Sequence, residues 1–191
     1  MPAVSTMPPT TISFAAMTFA VSRHVTNNPA QGINIVEEGN GTIVANVESN
    51  TINGTDGGNR FDVGIRGGAR QGSGQAQLTF KGNTVSSAKS NAFLGFAGNG
   101  AVAETNTTCI KFDTTVKNSL RGDAVTKVSD YELDQYTGTT FKLQGFAGLG
   151  TDATQVETFV KNTDVSPGSR TAFASFGTTV NYSGGACTPF P

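Results

Sequence analysis

Alternating apolar and polar positions recur along the chain at intervals of about thirty residues. The clearest copies are residues 43–52 (IVANVESNTI), residues 76–85 (AQLTFKGNTV) and the shorter residues 109–116 (CIKFDTTV). In the first two copies, an alternating strand leads into a small-residue turn, an Asn-Thr pair and an apolar residue. Because side chains alternate between the two faces of a strand, each copy predicts a short β-strand with one buried face.

A second set of apolar residues predicts another strand in each repeat. These pairs, spaced to lie on one face of a strand, are Ile33/Ile35, Val63/Ile65 and Leu94/Phe96. Residues 18–25 are interpreted as an earlier, degenerate copy of the repeat. A short strand with one apolar face is not stable alone, so successive repeats are expected to stack in parallel, strand on strand.

Stacking assigns inward and corner positions within the repeat. Val47 and Phe80 lie 33 positions apart, and Phe80 and Phe112 lie 32 apart. We therefore predict that these three side chains form one inward column. Asn50 and Asn83 fall at the same corner, where their amides are expected to form a structural hydrogen-bonded ladder.

The pattern changes from the third copy onward. Its turn, residues 113–115 (DTT), is shortened, so we expect the ladder asparagine to be lost there. Residues 131–136 and 140–143 alternate as strands, and residues 152–162 have the apolar periodicity and the capping residue of an α-helix. A helix in this place is expected to cover the apolar end of the stacked strands.

Together these elements predict an all-β fold, a right-handed parallel β-helix (solenoid) with a short C-terminal capping helix. Residues 1–118 are assigned to the coils. Residues 119–191 are assigned to the last coil or coils plus the cap, with the helix near 152–162. The two parts form a single continuous domain, as suits a chain of 191 residues.

Composition supports many turns and excludes some function classes. Gly accounts for 24 of 191 residues, and only 14% of residues are charged. With a net charge of −1 and no long Lys/Arg cluster, the chain lacks the basic surface of a nucleic-acid-binding protein. No apolar run is long enough to span a bilayer, and the first residues lack the basic start of a signal peptide. We expect an export signal upstream of this sequence.

Several segments resemble a known family. They are residues 82–85 (GNTV) at the end of a coil, the strand near 131–135, residues 141–146 (FKLQGF), the helix near 152–162 and the terminal residues 184–187 (GGAC). They look like the C-terminal regions of large bacterial secreted or surface proteins with pectate-lyase-like right-handed parallel β-helix repeats. The resemblance implies an extracellular or cell-surface location. It also implies a non-catalytic structural or adhesin-like role without specifying a ligand, and we expect a cell-surface or polysaccharide ligand.

Cys109 and Cys187 are the two cysteines, and neither has the neighbours of a CxxC or metal-binding motif. In a chain with the composition of a secreted protein, the pair favours one disulfide. A buried thiol at Cys109 and a free thiol at Cys187 are the alternative. Two Cys and one His supply too few ligands for a zinc site.

Acidic residues give the best candidate for chemistry. Asp130, Glu132 and Asp134 alternate along one predicted strand and would share one face. A polysaccharide lyase or glycosidase needs carboxylates, or carboxylate-bound calcium, on one such face. We favour a solvated strand face, so the protein is interpreted as no enzyme, with no catalytic, metal or cofactor-binding residue and no cofactor. The alternatives are a carbohydrate-active β-helix and a phage or viral fibre-like β-helix, which would trimerise.

Smaller signals do not change this interpretation. The loop around Asp56 and Asp62 has the Asp/Gly/Asn mixture of calcium loops without their spacing, which leaves calcium binding there open. His24 has no catalytic partner at motif spacing. Residues 121–123 (RGD) are expected to form a plain turn. None of these signals predicts an oligomeric state.

Overall fold

The computed structural model describes residues 10–15, 18–20, 31–53, 62–100, 103–122, 129–165 and 181–187. Within them the chain forms strands β1 (Thr10–Ala15), β2 (Thr18–Ala20), β3 (Gln31–Glu38), β4 (Thr42–Glu48), β5 (Thr51–Asn53), β6 (Val63–Arg70), β7 (Gln75–Lys81), β8 (Thr84–Ala88), β9 (Asn91–Ala97), β10 (Thr107–Phe112), β11 (Ser119–Gly122), β12 (Ser129–Gln135) and β13 (Thr140–Leu143), followed by helix α1 (Ala153–Asn162). In this part of the chain, no helix is both long and apolar enough to cross a bilayer.

The strands form three parallel sheets. The first sheet has the order β1-β4-β7-β10-β13, the second β11-β8-β5-β2, and the third β12-β9-β6-β3. Each strand pairs in parallel with the strand three places away along the chain, so the chain visits the three sheets in turn. This architecture confirms the predicted all-β class, with parallel strands and one short helix.

The first sheet places the predicted inward residues at one register position. Val47 pairs with Phe80, and Phe80 with Phe112. All three side chains are buried, and the rings of Phe80 and Phe112 lie 5.8 Å apart. They belong to a continuous core that joins all three sheets, and Phe93 of the third sheet packs edge-on against Phe80 at 4.8 Å.

The third sheet corrects the sequence alignment of the second strand. Ile33 pairs with Ile65 rather than with Val63, and Ile65 then pairs with Phe93. Leu94 and Phe96 therefore lie on the opposite face of β9 from Phe93. The alignment was wrong because the inward residues of β9 alternate Phe-Gly rather than forming an apolar pair, while the outward residues are apolar.

Two glycines explain this pattern on the inner face. A β-carbon at Gly67 would lie 2.6 Å from Leu78 Cδ1, and one at Gly95 would lie 2.8 Å from Ile110 Cδ1. Leu78 and Ile110 are fully buried side chains of the first sheet. The third sheet thus leaves room at these positions for the first sheet's side chains, as close packing requires.

The earliest repeat begins before the position that the sequence indicated. β1 pairs with β4 over Thr10 to Ala15, and β2 pairs with β5 over Thr18 to Ala20. The degenerate copy assigned to residues 18–25 therefore contributes only its first three residues to a described strand, and residues 21–25 lie outside the described residues.

Asn50 and Asn83 share a buried ladder with a third asparagine, Asn118. The Asn83 Oδ1 atom accepts from the Asn50 amide Nδ2 at 2.9 Å and from the Asn50 backbone N at 3.1 Å. Asn118 Oδ1 accepts in the same way from Asn83, at 2.9 and 3.0 Å. The expectation that the third copy loses its ladder asparagine is therefore wrong.

The third asparagine is displaced along the sequence because its turn is longer. Asn83 and Asn118 are separated by 35 residues, against 33 for Asn50 and Asn83. Asp113 closes the additional turn by accepting from the backbone N–H groups of Thr115 and Val116, each at 2.8 Å. These hydrogen bonds, with Val116 first, lower the pKa of the Asp113 carboxyl.

Helix α1 lies at the C-terminal end of the sheets. Asp152 caps it, accepting from the backbone N–H groups of Thr154 and Gln155 at 2.9 and 3.2 Å. Val156 and Val160, on one face of the helix, are buried. Both valines belong to the hydrophobic core, so the helix packs against the sheets.

A buried ionic network fastens the end of the helix to the second sheet. Asp164, which is 2% exposed, accepts from both terminal nitrogens of Arg121 at 2.9 and 3.0 Å. It also accepts from the Leu120 backbone N and from the Tyr131 hydroxyl. Burial, and then Asp164, raise the pKa of Tyr131. Arg121 and Gly122 lie in β11 rather than in the expected turn, and Asp123 lies outside the described residues.

The predicted disulfide between Cys109 and Cys187 is confirmed, with Cα atoms 5.5 Å apart. It ties residues 181–187 to the first sheet. Ser183 N donates to Phe141 O at 3.0 Å, and Leu143 N donates to Ser183 O at 2.9 Å. The segment passes so close that a β-carbon at Gly184 would overlap Phe146 O, which explains the glycine.

Candidate functional site

The acidic residues singled out by the sequence all lie on β12, but they do not form one reactive group. Asp130 is 2% exposed and accepts from the backbone N of Gly122 at 2.7 Å. Glu132 and Asp134 are half-buried on the outer side of the third sheet, where Glu132 accepts a hydrogen bond from the Asn91 amide. The first carboxylate therefore supports a corner of the fold, and the other two line a surface.

Metal binding receives no support from the described residues. Among them, no three His, Cys, Asp or Glu side chains converge as metal ligands. Asp62 accepts from the Ser90 hydroxyl at 2.6 Å, a contact between the residues that immediately precede β6 and β9. Asp56 and His24 lie outside the part of the chain that the structure describes.

A charged and apolar surface covers the outer side of the third sheet. We call it the outer face and define it by Arg66, Leu94, Phe96, Glu132 and Asp134. The Arg66 guanidinium lies 4.4 Å above the centre of the Phe96 ring, which is 3% exposed. This contact is a cation–π interaction. The Phe96 ring belongs to β9, which lies between β6, the strand that carries the arginines, and β12, the strand that carries the carboxylates.

A separate polar pocket lies where the C-terminal segment meets the turn between β12 and β13. Its volume is about 350 Å³, and it is lined by Gln135, Tyr136, Gly138, Thr139, Thr140, Asn181 and Ser183. Every one of these lining residues is uncharged. We call this cavity the polar pocket.

Gln135 holds the two sides of the polar pocket together. Its amide Nε2 donates to Thr139 O at 2.8 Å, and its Oε1 accepts from Asn181 N at 2.9 Å. The Thr139 hydroxyl is used within the turn, where it donates to Tyr136 O or Ala97 O at 2.6 and 3.0 Å. These contacts fix the backbone of the pocket before any ligand enters.

The remaining lining groups offer hydrogen bonds and one aromatic surface. Thr140 and Asn181 are exposed, and Ser183 and Tyr136 are half-buried. Burial, and then the carboxylates of Asp134 and Glu132, raise the pKa of the Tyr136 phenol, so it keeps its proton as a donor. Neutral hydroxyl and amide groups around an aromatic ring suit a ligand that carries many hydroxyl groups.

Sequence reasoning missed the polar pocket. Gln135 and Asn181 are 46 residues apart and belong to no common motif. The available signal was weak, since Asn181 and Ser183 stand in a short Asn-Tyr-Ser pattern that turn-rich sequences often contain. The disulfide at Cys187 was the better indication, because it returns this segment to the sheets.

Comparison of the chain with protein-family models, with curated proteins and with solved structures found no match.

Proposed function

We propose that the chain is a non-catalytic structural or adhesin-like module of a bacterial extracellular or cell-surface protein, built as a right-handed parallel β-helix. The chain passes through the three parallel sheets in a fixed order, so each circuit adds one strand to every sheet. This regular course supports the proposed fold. A right-handed course follows the strong preference of parallel strand connections. The proposal agrees with the family resemblance of residues 131–135, 141–146 and 184–187.

The single observation that carries the structural role is the repeated stacking through the core. Val47, Phe80 and Phe112 share one register position. Asn50, Asn83 and Asn118 repeat the same hydrogen bonds at a corner. Stacked repeats of this kind produce a stiff body with long, regular outer surfaces, which suits presentation and attachment.

The disulfide supports the extracellular location. Cys109 and Cys187 are both buried, and their bond joins residues 78 positions apart. Such bonds form and persist in oxidising compartments and are rare in reducing cytosol. A covalent tie at the end of the chain would also protect an exported protein against fraying and proteolysis.

The polar pocket supports a polysaccharide as the adhesive ligand. Its uncharged lining fits sugar hydroxyl groups, and the Tyr136 ring offers a face for the apolar side of a pyranose. No step of bond cleavage is proposed there. We expect a saccharide chain to bind weakly at one pocket. Binding should be tighter when several copies of the protein are displayed together.

Affinity electrophoresis in gels that contain neutral polysaccharides tests this proposal. The wild-type protein is expected to be retarded by at least one neutral glucan, mannan or galactan, and Tyr136→Ala and Thr140→Val are expected to reduce the retardation. Thr107→Val is the matched control, because Thr107 pairs with Thr140 on the neighbouring strand but does not line the pocket. Equal mobility of all variants in every gel would contradict the ligand.

Product analysis tests the non-catalytic part. Incubation with pectin, alginate or the retarding polysaccharide should release neither unsaturated products nor new reducing ends, with or without calcium. Glu132→Gln and Asp134→Asn should leave this result unchanged. Product release that disappears in either variant would show that the outer face carries an enzyme.

A further inference from the structure

We propose that the outer face of the third sheet binds the same face of a second copy of this chain, around a two-fold axis that runs along β9. This pairing goes beyond the proposed function, because it concerns a different surface from the polar pocket. The partner is identified by charge complementarity within a single row of side chains.

The row crosses all four strands of the third sheet in register. Asn34 pairs with Arg66, Arg66 with Leu94, and Leu94 with Glu132. Neighbouring strands lie about 4.8 Å apart, so Arg66 and Glu132 stand roughly 10 Å apart with Leu94 midway between them. From β3 to β12, the row therefore contains a polar, a positively charged, an apolar and a negatively charged side chain.

This order is self-complementary. Rotation by half a turn about an axis along β9 exchanges the positions of β6 and β12 across the interface. Arg66 of each copy then faces Glu132 of the other, and the two Leu94 side chains meet at the axis. Such an isologous contact forms every pair twice and closes as a dimer.

Arg66 is prepared for an external carboxylate. In the described part of the chain it forms no ion pair, and its one hydrogen bond is a long one of 3.4 Å to Asn34 Oδ1. Arg70, four residues along the same strand, is instead paired with Glu38. Burial, and then Arg70, lower the pKa of Arg66, so an opposing carboxylate would compensate a partly desolvated cation.

The outer face is also flat enough for a second sheet to approach. The Phe96 ring lies toward Gly68 on the neighbouring strand, where a β-carbon would be 2.9 Å from Phe96 Cδ2. Phe96 thus fills the space of a missing side chain instead of standing out from the surface. Leu94 is half-buried and supplies an apolar centre between the two charges.

The size of the face predicts a weak dimer. Four strands at about 4.8 Å and five residues at about 3.3 Å give a face on the order of 300 Å². Stable interfaces bury about 800 Å² on each partner, so the association is expected in the micromolar range or weaker. Weak pairing of this kind gains effect when many copies are displayed on one surface.

Analytical ultracentrifugation over a wide concentration range tests the pairing by charge exchange. Wild type should self-associate, and Arg66→Glu and Glu132→Arg should each weaken association roughly tenfold or more, since like charges then face each other twice. An equimolar mixture of the two variants should associate again, because each copy then presents the charge that the other lacks. Lys111→Glu on the first sheet is the matched control and should behave as wild type.

The mixing step separates pairing from a folding defect. If either variant melts abnormally, Arg66→Gln and Glu132→Gln replace the charge reversals and should weaken association to a smaller extent. Wild type that is monomeric throughout, association insensitive to both positions, or failure of folded charge-reversal variants to associate on mixing would overturn the proposal. Polysaccharide retardation through the polar pocket is measured separately and does not depend on any of these outcomes.

Discussion

An inward side chain in this fold contacts residues far from it in sequence. The Phe80 ring lies 4.8 Å from Phe93, in the third sheet, and 5.8 Å from Phe112, on the next strand of its own sheet. Phe93 and Phe112 also contact Tyr131. One residue therefore joins two sheets and two successive repeats, and its removal should be felt throughout the core.

We predict that Phe80→Ala lowers the free energy of unfolding by about 3–5 kcal/mol, because the side chain is fully buried and the surrounding sheets are hydrogen-bonded too rigidly to collapse into the cavity. Urea denaturation followed by circular dichroism measures the change. Phe80→Leu should lose less, and Phe159→Ala, at a half-buried position of α1, provides the comparison. An unchanged midpoint for Phe80→Ala would contradict the packing described here.

Glu37 illustrates the cost of a buried carboxylate. Its side chain accepts from the backbone N of Gly41 at 2.8 Å, but its Oε2 atom is buried without a hydrogen-bond partner. Burial raises the pKa of Glu37 above its ordinary value, against the opposing effect of Gly41. The folded protein thus holds this proton more tightly than the unfolded chain does.

The raised pKa of Glu37 gives a pH prediction. Stability from this group is present below the unfolded pKa, near 4.5, and is lost as the pH rises through the higher folded value. Glu37→Gln should remove this loss, so the difference in unfolding free energy between variant and wild type should shift in favour of the variant as the pH rises. Denaturation curves across acidic to neutral pH measure it, with Glu48→Gln on β4 as the control. Parallel curves would refute the assignment.

At the scale of strands and turns, one corner between strands is held by side-chain hydrogen bonds of the asparagine ladder instead of by apolar packing. Asn83 is the central member, since its Oδ1 accepts from Asn50 and its Nδ2 donates to Asn118 Oδ1 and to Val47 O. Each of the three amides is fully buried. Loss of the central amide removes the acceptor of the Asn50 amide and Asn50 backbone N–H, and also the donor to Asn118 Oδ1 and Val47 O.

We predict that Asn83→Ala destabilises the protein by roughly 2–4 kcal/mol, since about 1–3 kcal/mol is lost for each buried group left unsatisfied. Asn50→Ala should also destabilise the protein, because it removes the amide that donates to Asn83 Oδ1. Asn34→Ala, at an exposed position of β3, should have little effect. Thermal melting of the three variants gives the order, and an Asn34 effect as large as that of Asn83 would contradict the ladder.

The same elements show what the sequence could predict. Strand positions and the period were recognisable because Val47, Phe80 and Phe112 repeat at nearly constant spacing. Asn118 was missed because two additional residues precede it and Asp113 forms a turn that the repeat does not contain. Phe93 was missed because the next residue on its inner face, Gly95, is not apolar. The outward pair Leu94 and Phe96 therefore had the apolar alternation expected of buried residues.

At the scale of the whole molecule, the polar pocket depends on contacts that no local pattern contains. Its two sides come from the turn after β12 and from residues 181–183, and Gln135 forms a hydrogen-bonded bridge between them. Tyr182, between the two lining residues of the tail, is buried and donates to Leu133 O at 2.7 Å. The pocket is therefore a product of how the C-terminal segment returns to the sheets, and periodicity cannot reveal it.

The Cys109–Cys187 disulfide should control both the stability of the fold and the shape of the pocket. Closing 78 residues restricts the unfolded chain by about 4–5 kcal/mol in the loop-entropy model. The Cys109→Ser and Cys187→Ser double variant should therefore melt at a lower temperature, and it should bind polysaccharide more weakly because Asn181 and Ser183 lose their covalent anchor. Calorimetry and affinity electrophoresis, with reduced wild type as the parallel sample, measure the two effects. If the melting temperature is the same before and after complete reduction, the packing of Tyr182 and the backbone hydrogen bonds of Ser183 alone hold the segment in place.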